Sequence, residues 1–280
     1  MTAALQIAPM TLDHLRIAVD WAAAEGWNPG IEDAEAFHAV DPSGFLMGWL
    51  GDTPVTAISV VRHSDSFGFL GFYLCHPDHR GKGFGIATWQ AGMAYLGDRV
   101  VGLDGVPAQE ANYQTSGFVL AHYTRRYAGE VTAKMYEDCR AATSADLPAL
   151  LSMDRQLSLV DRTAYLSNWV NQTGTRRTLV CGPQGEIQAF GTIRACRDGH
   201  KIGPLFAARP GEALRLIECL AATADASRVM IDIPDPNVAG VEMATSLGLG
   251  PVFSCARMYR GKAPDRKVDG IFGETTFELG

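Results

Sequence analysis

Three alternating glycines beside two cationic residues form the stretch whose residue types point most directly to chemistry. The loop Arg80–Gly85 reads Arg-Gly-Lys-Gly-Phe-Gly and lies between the apolar run Phe69–Cys75 and the helically spaced segment Ile86–Leu96. Successive backbone N–H groups in such a loop, together with the N-terminus of the following helix, can bind a phosphate group. Glycine lets the anion approach the backbone because no Cβ stands in the way. The sequence therefore predicts an anion-binding unit built as strand, loop and helix.

The spacing of this loop excludes two common phosphate sites. A P-loop has a serine or threonine directly after its lysine, whereas Gly83 follows Lys82. A Rossmann loop has a third glycine at the position that Thr88 occupies here. The loop therefore belongs to another class of phosphate site.

Two motifs together resemble the GCN5-related N-acetyltransferase (GNAT) superfamily. The loop Arg80–Gly85 resembles the pyrophosphate loop of that family, R/Q-x-x-G-x-G/A, which follows a strand ending in V-x-P; here the ending is Cys75–Pro77. Tyr113 stands four residues before Gly117 and Phe118, which resembles the family's Y-x-x-x-G-F motif. The purely structural alternatives are a glycine-rich turn and a half-buried helical tyrosine.

The resemblance implies that acetyl-CoA binds as a co-substrate, without a metal. Its pantetheine arm would pair with the end of the fourth strand, and its diphosphate would lie on backbone N–H groups between Gly81 and Ile86. Arg80 and Lys82 would supply positive charge nearby, although either could simply be solvated. The cofactor-binding residues predicted in this way are Tyr73, Leu74, Cys75, Arg80, Gly81, Lys82, Gly83, Phe84, Gly85 and Ile86.

The reaction implied by the resemblance is attack of an amine on the thioester carbonyl of acetyl-CoA. Tyr113 would be the general acid that protonates the leaving thiolate. The base that takes the ammonium proton is left open between Asp104, after the fifth strand, and His76, after the fourth. We reject Cys75 as a nucleophile because it lies on the cofactor strand and the sequence has no evident His–acid relay for it.

A loop rich in helix-breaking residues, Glu25–Gly30, follows the first predicted helix. The resemblance implies that this segment lies beside the acceptor site. Trp27, Asn28 and Asp33 are therefore the predicted substrate-binding residues. Trp27 could equally be packed into the core, and the acidic residue could be structural.

A sheet and flanking helices are needed to position these motifs. Apolar periodicity and turn residues predict both in the first half of the chain. The predicted helices are Thr11–Ala24 and Ile31–Val40, besides the one after the glycine loop. The predicted strands are Leu5–Ile7, Phe45–Leu50, Val55–Arg62, Phe67–Cys75, Arg99–Leu103 and Val119–Tyr127.

The second half of the chain repeats the first at a constant spacing. Three pairs of segments share this spacing: Ala57–Arg62 with Ala189–Arg194, Gly71 with Gly203, and Arg125–Gly129 with Arg257–Gly261. Chance matches would each have a different spacing, so a constant spacing over several strands indicates duplication of one domain.

The two copies differ where the chemistry would occur. We predict a catalytic domain at 1–137 and a degenerate copy at 138–280, because the loop Ala207–Glu212 lacks alternating glycines and Ala244 stands at the tyrosine position. The second copy would pack against the first, complete the acceptor pocket or bind a regulator. Its closing segment, Ile271–Leu279, is apolar enough to be a strand that docks on a sheet.

Composition excludes several classes of protein. The 280 residues are 47% apolar and carry a net charge of −7, which argues against binding of nucleic acid or a membrane surface. No signal-peptide pattern and no run of about 18 apolar residues is present. The six cysteines are scattered, which is typical of core residues in a reducing compartment and not of disulfides or zinc ligands. We therefore expect a cytoplasmic protein.

The sequence thus predicts an α+β protein with tandem GNAT folds, each a mixed, mostly antiparallel twisted sheet flanked by helices. The predicted function is transfer of an acetyl group from acetyl-CoA to a primary amine of a small molecule, by direct attack in a ternary complex. The alternatives are transfer to a protein lysine or N-terminal amine, and an acyl-CoA sensor without turnover. A monomer and a homodimer are both open.

Overall fold

A computed structural model describes residues 4–183 and 186–280. In the first repeat unit the strands are β1 (Leu5–Pro9), β2 (Phe45–Leu50), β3 (Thr53–Arg62), β4 (Phe67–Cys75), β5 (Val100–Gly105) and β6 (Val119–Glu130). The helices of this unit are α1 (Leu12–Ala24), α2 (Asp33–His38), α3 (Phe84–Leu96) and α4 (Glu110–Thr115).

The second unit repeats this order and adds a short final strand. Its strands are β7 (Cys139–Ala141), β8 (Arg176–Cys181), β9 (Ala189–Ala195), β10 (His200–Ala207), β11 (Arg228–Pro234), β12 (Gly250–Arg260) and β13 (Ile271–Gly273). Its helices are α5 (Leu147–Ser158), α6 (Thr163–Trp169), α7 (Pro210–Thr223) and α8 (Val238–Ser246).

Local sequence explains where the helices near the site begin. Thr11 precedes α1 in extended conformation, and its hydroxyl accepts a hydrogen bond from the N–H of His14, which caps the helix. Gly83 precedes α3 with a φ of 83°, a left-handed conformation that favours glycine. The predicted helices and strands of the first unit are confirmed, with ends that differ by a few residues.

The thirteen strands found among the described residues form one mixed sheet, in the order β1-β2-β3-β4-β5-β12-β6-β11-β10-β9-β8-β7, with β13 paired to β10. The pairs β4–β5 and β10–β11 are parallel, and the other named pairs are antiparallel. Helices flank the sheet, so the predicted fold class is confirmed.

The last long strand of each unit lies in the sheet of the other unit. β12 pairs with β5, with Met258 opposite Leu103. β6 pairs with β11, with Tyr127 opposite Ile231, and the two exchanged strands also pair with each other. The proposed units 1–137 and 138–280 are therefore joined by exchanged strands instead of a simple interface.

Helices cover the first unit's strands on both faces. On one face Trp89 of α3 and Tyr113 of α4 pack on apolar side chains of β3, β4 and β5. On the other face α1 and α2 pack on β2, β3 and β4 together with α6 of the second unit. There Phe37 stacks on Trp169, with ring centroids 5.6 Å apart.

The final ten residues are buried throughout. β13 pairs with β10 through Gly273 opposite Leu205, and the N–H of Glu274 then donates to the carbonyl of Asp232 on β11. The closing segment was predicted to be one strand as far as Leu279. That prediction is wrong beyond Gly273, because the chain leaves β10 there, crosses toward the first unit and ends in a turn.

Glycines at equivalent positions of the repeat let this tail cross the sheet. A Cβ on Gly203 would overlap the carbonyl oxygen of Glu274, and a Cβ on Gly71 would overlap that of Glu278. Close approach of two backbones therefore accounts for the repeat of Gly71 at Gly203.

The prediction that no cysteine forms a disulfide is wrong. Cys139 on β7 lies directly opposite Cys181 on β8, and the two are joined. The spacing of the cysteines in the sequence did not reveal this pair, because the register of β7 against β8 brings the two residues together only in the folded chain.

Among the described residues no helix is both long and apolar enough to cross a membrane.

Candidate functional site

The site begins where β4 and β5 separate. Their parallel pairing ends at Leu70 opposite Leu103. Directly beyond, β4 carries a bulge against β3, and Phe72 has a φ of 44°. Bulges end pairing and turn a strand aside. The edge of β4 that faces β5 is therefore left open beside a cavity.

The glycine loop follows β4 and has room for an anion. Gly81 and Gly83 have φ values of 72° and 83°, and a Cβ at either position would meet nothing within 4 Å. Gly85 lies against the β4 side of the site, where a Cβ would lie 3.0 Å from the hydroxyl of Tyr73. The space beside the backbone of Gly81 and Gly83 is thus open, and side chains at these positions would fill it. We call this segment, Gly81–Gly85, the glycine cradle.

The two cations of the loop already have protein partners. Arg80 donates to the carbonyl of Cys75 at 3.0 Å and forms an ion pair with Glu25. Lys82 donates to the carbonyl of Asp78 at 2.7 Å. Both cations are on the exposed rim, so they shape the loop and add positive charge to it.

A cavity of about 350 Å³ opens at the separation of β4 and β5. Both repeat units line it. The first unit contributes the predicted residues Trp27, Tyr73, Leu74, Cys75, Arg80, Asp104 and Tyr113, among others. The second unit contributes Phe253, Cys255, Phe277 and Glu278. The structure thus brings together the end of β4, the candidate general acid Tyr113 and a cavity wall formed by residues of the second unit.

Tyr113 is fixed in the cavity wall by packing. Its ring stacks on Trp89 with centroids 5.8 Å apart, and a Cβ on Gly105 would overlap that ring. Burial raises the pKa of Tyr113 to about 12, with smaller contributions from Cys255 and Tyr73. The phenol therefore keeps its proton at neutral pH and can act as a donor.

Asp104 lines the cavity with both carboxylate oxygens occupied. They accept hydrogen bonds from Nε and Nη2 of Arg257, at 2.7 and 2.6 Å. Burial raises the pKa of Asp104 to about 6, although Arg257 opposes that shift. His76, the other base considered from the sequence, is half-buried beside Asp78 at 3.8 Å. The role of Asp104 as a base stays a prediction.

Of the predicted substrate-binding residues, Trp27 lines the cavity. Its carbonyl accepts hydrogen bonds from Arg126 at 3.0 Å and from Lys201 at 2.9 Å. Burial lowers the pKa of Lys201 to about 8. Asn28 points elsewhere, since its amide exchanges two hydrogen bonds with the backbone of Asp198. Arg126 of the exchanged strand β6 and Lys201 of the second unit thus hold the loop that carries Trp27.

Asp33 is fully buried and lies outside the cavity wall. Its carboxylate accepts hydrogen bonds from Arg176 and Arg194, both at 3.1 Å, and from the N–H of Gly30. Nearby Arg194 and Arg176 lower the pKa of Asp33 against the opposing effect of burial. Asp33 therefore joins the first unit to the second through buried ion pairs with Arg176 and Arg194.

The corresponding groove of the second unit is filled by the chain itself. Parallel pairing of β10 with β11 ends at Ile202 opposite Ile231, and β13 occupies the space beyond. At the N-terminus of α7 the buried carboxylate of Glu212 pairs with Arg209, which places negative charge where an anion would bind. The second groove therefore has neither open space nor a glycine cradle.

The cavity residues that come from the second unit were not identified from the sequence. Phe253, Phe277 and Glu278 reach the site through the exchanged strand β12 and the buried tail. The available signal was the acidic residues Glu274 and Glu278 within an apolar closing segment. Charged residues are seldom buried without a specific partner or function.

Comparison with known proteins agrees with this architecture. A family model described as "Acetyltransferase (GNAT) domain" matches residues 150–273, which lie in the second unit. The chain is 32% identical over 277 residues to a holothin acyltransferase of Pseudoalteromonas sp. (strain SANK 73390), covering 97% of this chain and 93% of the relative.

Solved structures share the fold of the whole chain. A candidate acetyltransferase from Pyrococcus horikoshii superposes with a TM-score of 0.82 at 23% identity, covering 99% of this chain and 96% of that one. A tandem GNAT protein from the clavulanic acid biosynthesis pathway superposes with a TM-score of 0.63 at 15% identity, covering 93% and 100%. With the open groove, the candidate acid and the full-length relative, these findings show that the chain belongs to the GNAT family and is an acyltransferase.

Proposed function

We propose that this enzyme moves the acetyl group of acetyl-CoA to a primary amine of a small molecule, by direct attack within a ternary complex. GNAT acetyltransferases use acetyl-CoA as their co-substrate. The observation that carries the proposal is the cavity at the separation of β4 and β5, because the open strand edge, Arg80 at the start of the glycine loop and Tyr113 all border one space.

The cofactor end of the site is assigned to β4 and the loop after it. The open edge of β4 at Tyr73, Leu74 and Cys75 can pair with the amide groups of a pantetheine arm. The diphosphate fits the backbone N–H groups between Gly81 and Ile86, because the N-terminus of α3 adds partial positive charge there. A backbone N–H at the bulge of β4 can bond the thioester oxygen as negative charge develops, which is typically worth about 3 kcal/mol.

The leaving thiolate receives its proton from Tyr113 in this proposal. Burial keeps the phenol protonated at neutral pH. Tyr113 is therefore the residue whose substitution separates binding of acetyl-CoA from its turnover.

The acceptor end of the site is assigned to the aromatic wall formed by Trp27, Phe253 and Phe277. A cavity of about 350 Å³ suits a small molecule that lies beside the thioester. The full-length relative named as a holothin acyltransferase supports a small-molecule acceptor as well. The degenerate unit 138–280 would complete this wall and bind no acetyl-CoA.

The test is release of free thiol from acetyl-CoA with a panel of primary amines that includes holothin, with mass spectrometry of the products. Tyr113→Phe keeps the ring but removes the proton donor, so we expect kcat to fall roughly 10²-fold with little change in affinity for acetyl-CoA. Tyr123→Phe is the matched control, because its hydroxyl bonds Glu110 and lies outside the cavity.

Two results would contradict the proposal. A protein that binds acetyl-CoA but releases no thiol with any amine would be a sensor of acyl-CoA. Equal turnover by Tyr113→Phe and the wild type across the pH range would mean that water protonates the thiolate and that Tyr113 is structural.

A further inference from the structure

One of the carboxyl groups that line the cavity differs from the others. Glu25 is paired with Arg80, and both oxygens of Asp104 are bonded to Arg257. Glu278 also lines the cavity and is 3% exposed, yet its Oε2 has no hydrogen-bond partner among the described residues. A buried carboxylate oxygen without a partner is costly. Such a group is therefore expected to serve a ligand.

The backbone around Glu278 is held firmly although it is two residues from the end of the chain. The carbonyl of Leu279 accepts a hydrogen bond from Nε2 of His63 at 2.8 Å, and the N–H of Leu279 donates to Thr276 at 3.0 Å. Arg162 donates to the carbonyl of Gly280. The side chain is thus placed in the cavity wall by bonds on both sides.

Three cationic side chains lie near the carboxylate of Glu278. These cations are Arg126 on β6, Arg194 on β9 and Lys201 on β10. The thiol of Cys255 on β12 also lies near Glu278. Two of the three cations, Arg126 and Arg194, are already paired with Asp232 and Asp33. The third, Lys201, donates to the carbonyl of Trp27. None of these three cations forms a hydrogen bond with Glu278 among the described residues, so its carboxylate at the cavity wall is left for a ligand.

We propose that Glu278 is the proton acceptor for the amine, so that the tail of the degenerate unit supplies a catalytic residue to the other unit. This assignment rests on the proposed acetyl transfer. It also answers the question left open by the sequence, because the carboxylate comes from the end of the chain and not from the strands beside the cofactor.

The carboxylate of Glu278 takes one proton from the ammonium group, and the freed lone pair forms the C–N bond at the thioester carbonyl. The C–S bond breaks as the oxyanion collapses, and the thiolate takes the proton of Tyr113. The nitrogen then gives its second proton to the tyrosinate, and Glu278 releases its proton to solvent. The net products are an amide, free CoA thiol and one proton.

The experiment compares two amines of the same size. Ethylamine is a cation at pH 7 and must lose a proton before it attacks, whereas methoxyamine is already neutral. With Glu278→Gln, kcat/KM for ethylamine should fall about 10²- to 10³-fold, within the range of general bases. Turnover of methoxyamine should change far less, and raising the pH should restore the variant with ethylamine.

Further variants separate a chemical role from a structural one. Glu278→Asp keeps a carboxylate and should recover part of the activity. Glu242→Gln on the exposed face of α8 is the control for loss of a charge. Affinity for acetyl-CoA, measured by calorimetry, should be unchanged in all three variants.

The outcomes are distinct. Equal losses with the two amines, or a loss that is the same at every pH, would overturn the role of Glu278 and leave the proposed function standing. A wild-type protein that accelerates neither these two amines nor any amine of the panel would contradict the proposed function, and this assignment with it.

Discussion

Gly105 and Tyr113 illustrate how a side chain at the site depends on a neighbour that has none. The ring of Tyr113 occupies the volume in which a Cβ of residue 105 would lie. Gly105 is the last residue of β5. Because it has no side chain, β5 and the helix α4 can approach each other until only the ring of Tyr113 lies between their backbones. The motif around Tyr113 is visible in the sequence, but the glycine that makes room for it is recognised only by contact.

The glycine cradle gives a prediction at the same scale. Gly83→Val should abolish binding of acetyl-CoA, because a branched side chain would project into the space assigned to the diphosphate and strain a residue with a φ of 83°. The wild type should bind one acetyl-CoA per chain in a calorimetric titration, since the second groove is filled.

Gly248→Val is the matched control for this titration. Gly248 has a φ of 76° and open space around it, but it lies in the second unit after α8. It therefore imposes similar backbone strain without touching the cradle. Two equivalent sites in the wild type, or equal loss of binding in both variants, would contradict the assignment.

The element that links the two halves of the site is the buried tail 271–280, which begins with β13. It fills the second groove, passes Gly203 and Gly71, and ends beside Phe69 of β4. Because every residue from 271 to 280 is buried, the tail acts as part of the core. An element of this kind should respond to the protonation of the groups that hold it.

His63 provides the prediction at this scale. Burial lowers its pKa to about 4, and Arg162 acts in the same direction. Between pH 6.5 and 4 the unfolded chain therefore binds a proton that the folded chain does not, so the free energy of unfolding falls as the pH falls. A shift of this size corresponds to about 3 kcal/mol from His63.

The measurement is denaturant unfolding of the wild type and of His63→Gln across this pH range. Glutamine can still donate to the carbonyl of Leu279 but does not titrate. The stability advantage of the wild type should therefore shrink by about 3 kcal/mol from pH 7 to pH 4. Parallel curves for the two proteins would show that His63 is not the linked group.

At the scale of the whole molecule, the exchanged strands make each unit part of the other's core. Buried ion pairs cross in the same way: Asp104 with Arg257, Asp232 with Arg126, and Asp33 with Arg176 and Arg194. Separation of the units would remove the partners of these charges, and any charge that stayed buried would be strongly unfavourable. It would also expose long strand edges that favour aggregation.

A split chain tests this dependence. Residues 1–138 alone should be insoluble or should lack acceptor turnover, because β6 would lose β11 and β12 and the cavity would lose Phe253, Phe277 and Glu278. Co-expression with residues 139–280 should give two fragments that purify together and recover thiol release. A soluble 1–138 fragment with the kcat/KM of the full chain would contradict this account.

Local signals in the sequence determined much of this protein. The glycine loop after an apolar strand, the spacing from Tyr113 to Phe118 and the period of the apolar residues predicted the elements, the family and one half of the cavity. These signals succeed because backbone conformation in a loop and the buried face of a strand are set by residues within a few positions of one another.

Tertiary structure alone decided the other half. The exchange of β6 and β12, the pairing of Cys139 with Cys181 and the path of the tail to Glu278 all join segments far apart in the chain. Apolar periodicity states which face of a strand is buried but not which strand lies beside it, because many pairings bury the same face. The choice among them depends on bulges, buried charges and close glycine contacts that exist only in the folded chain.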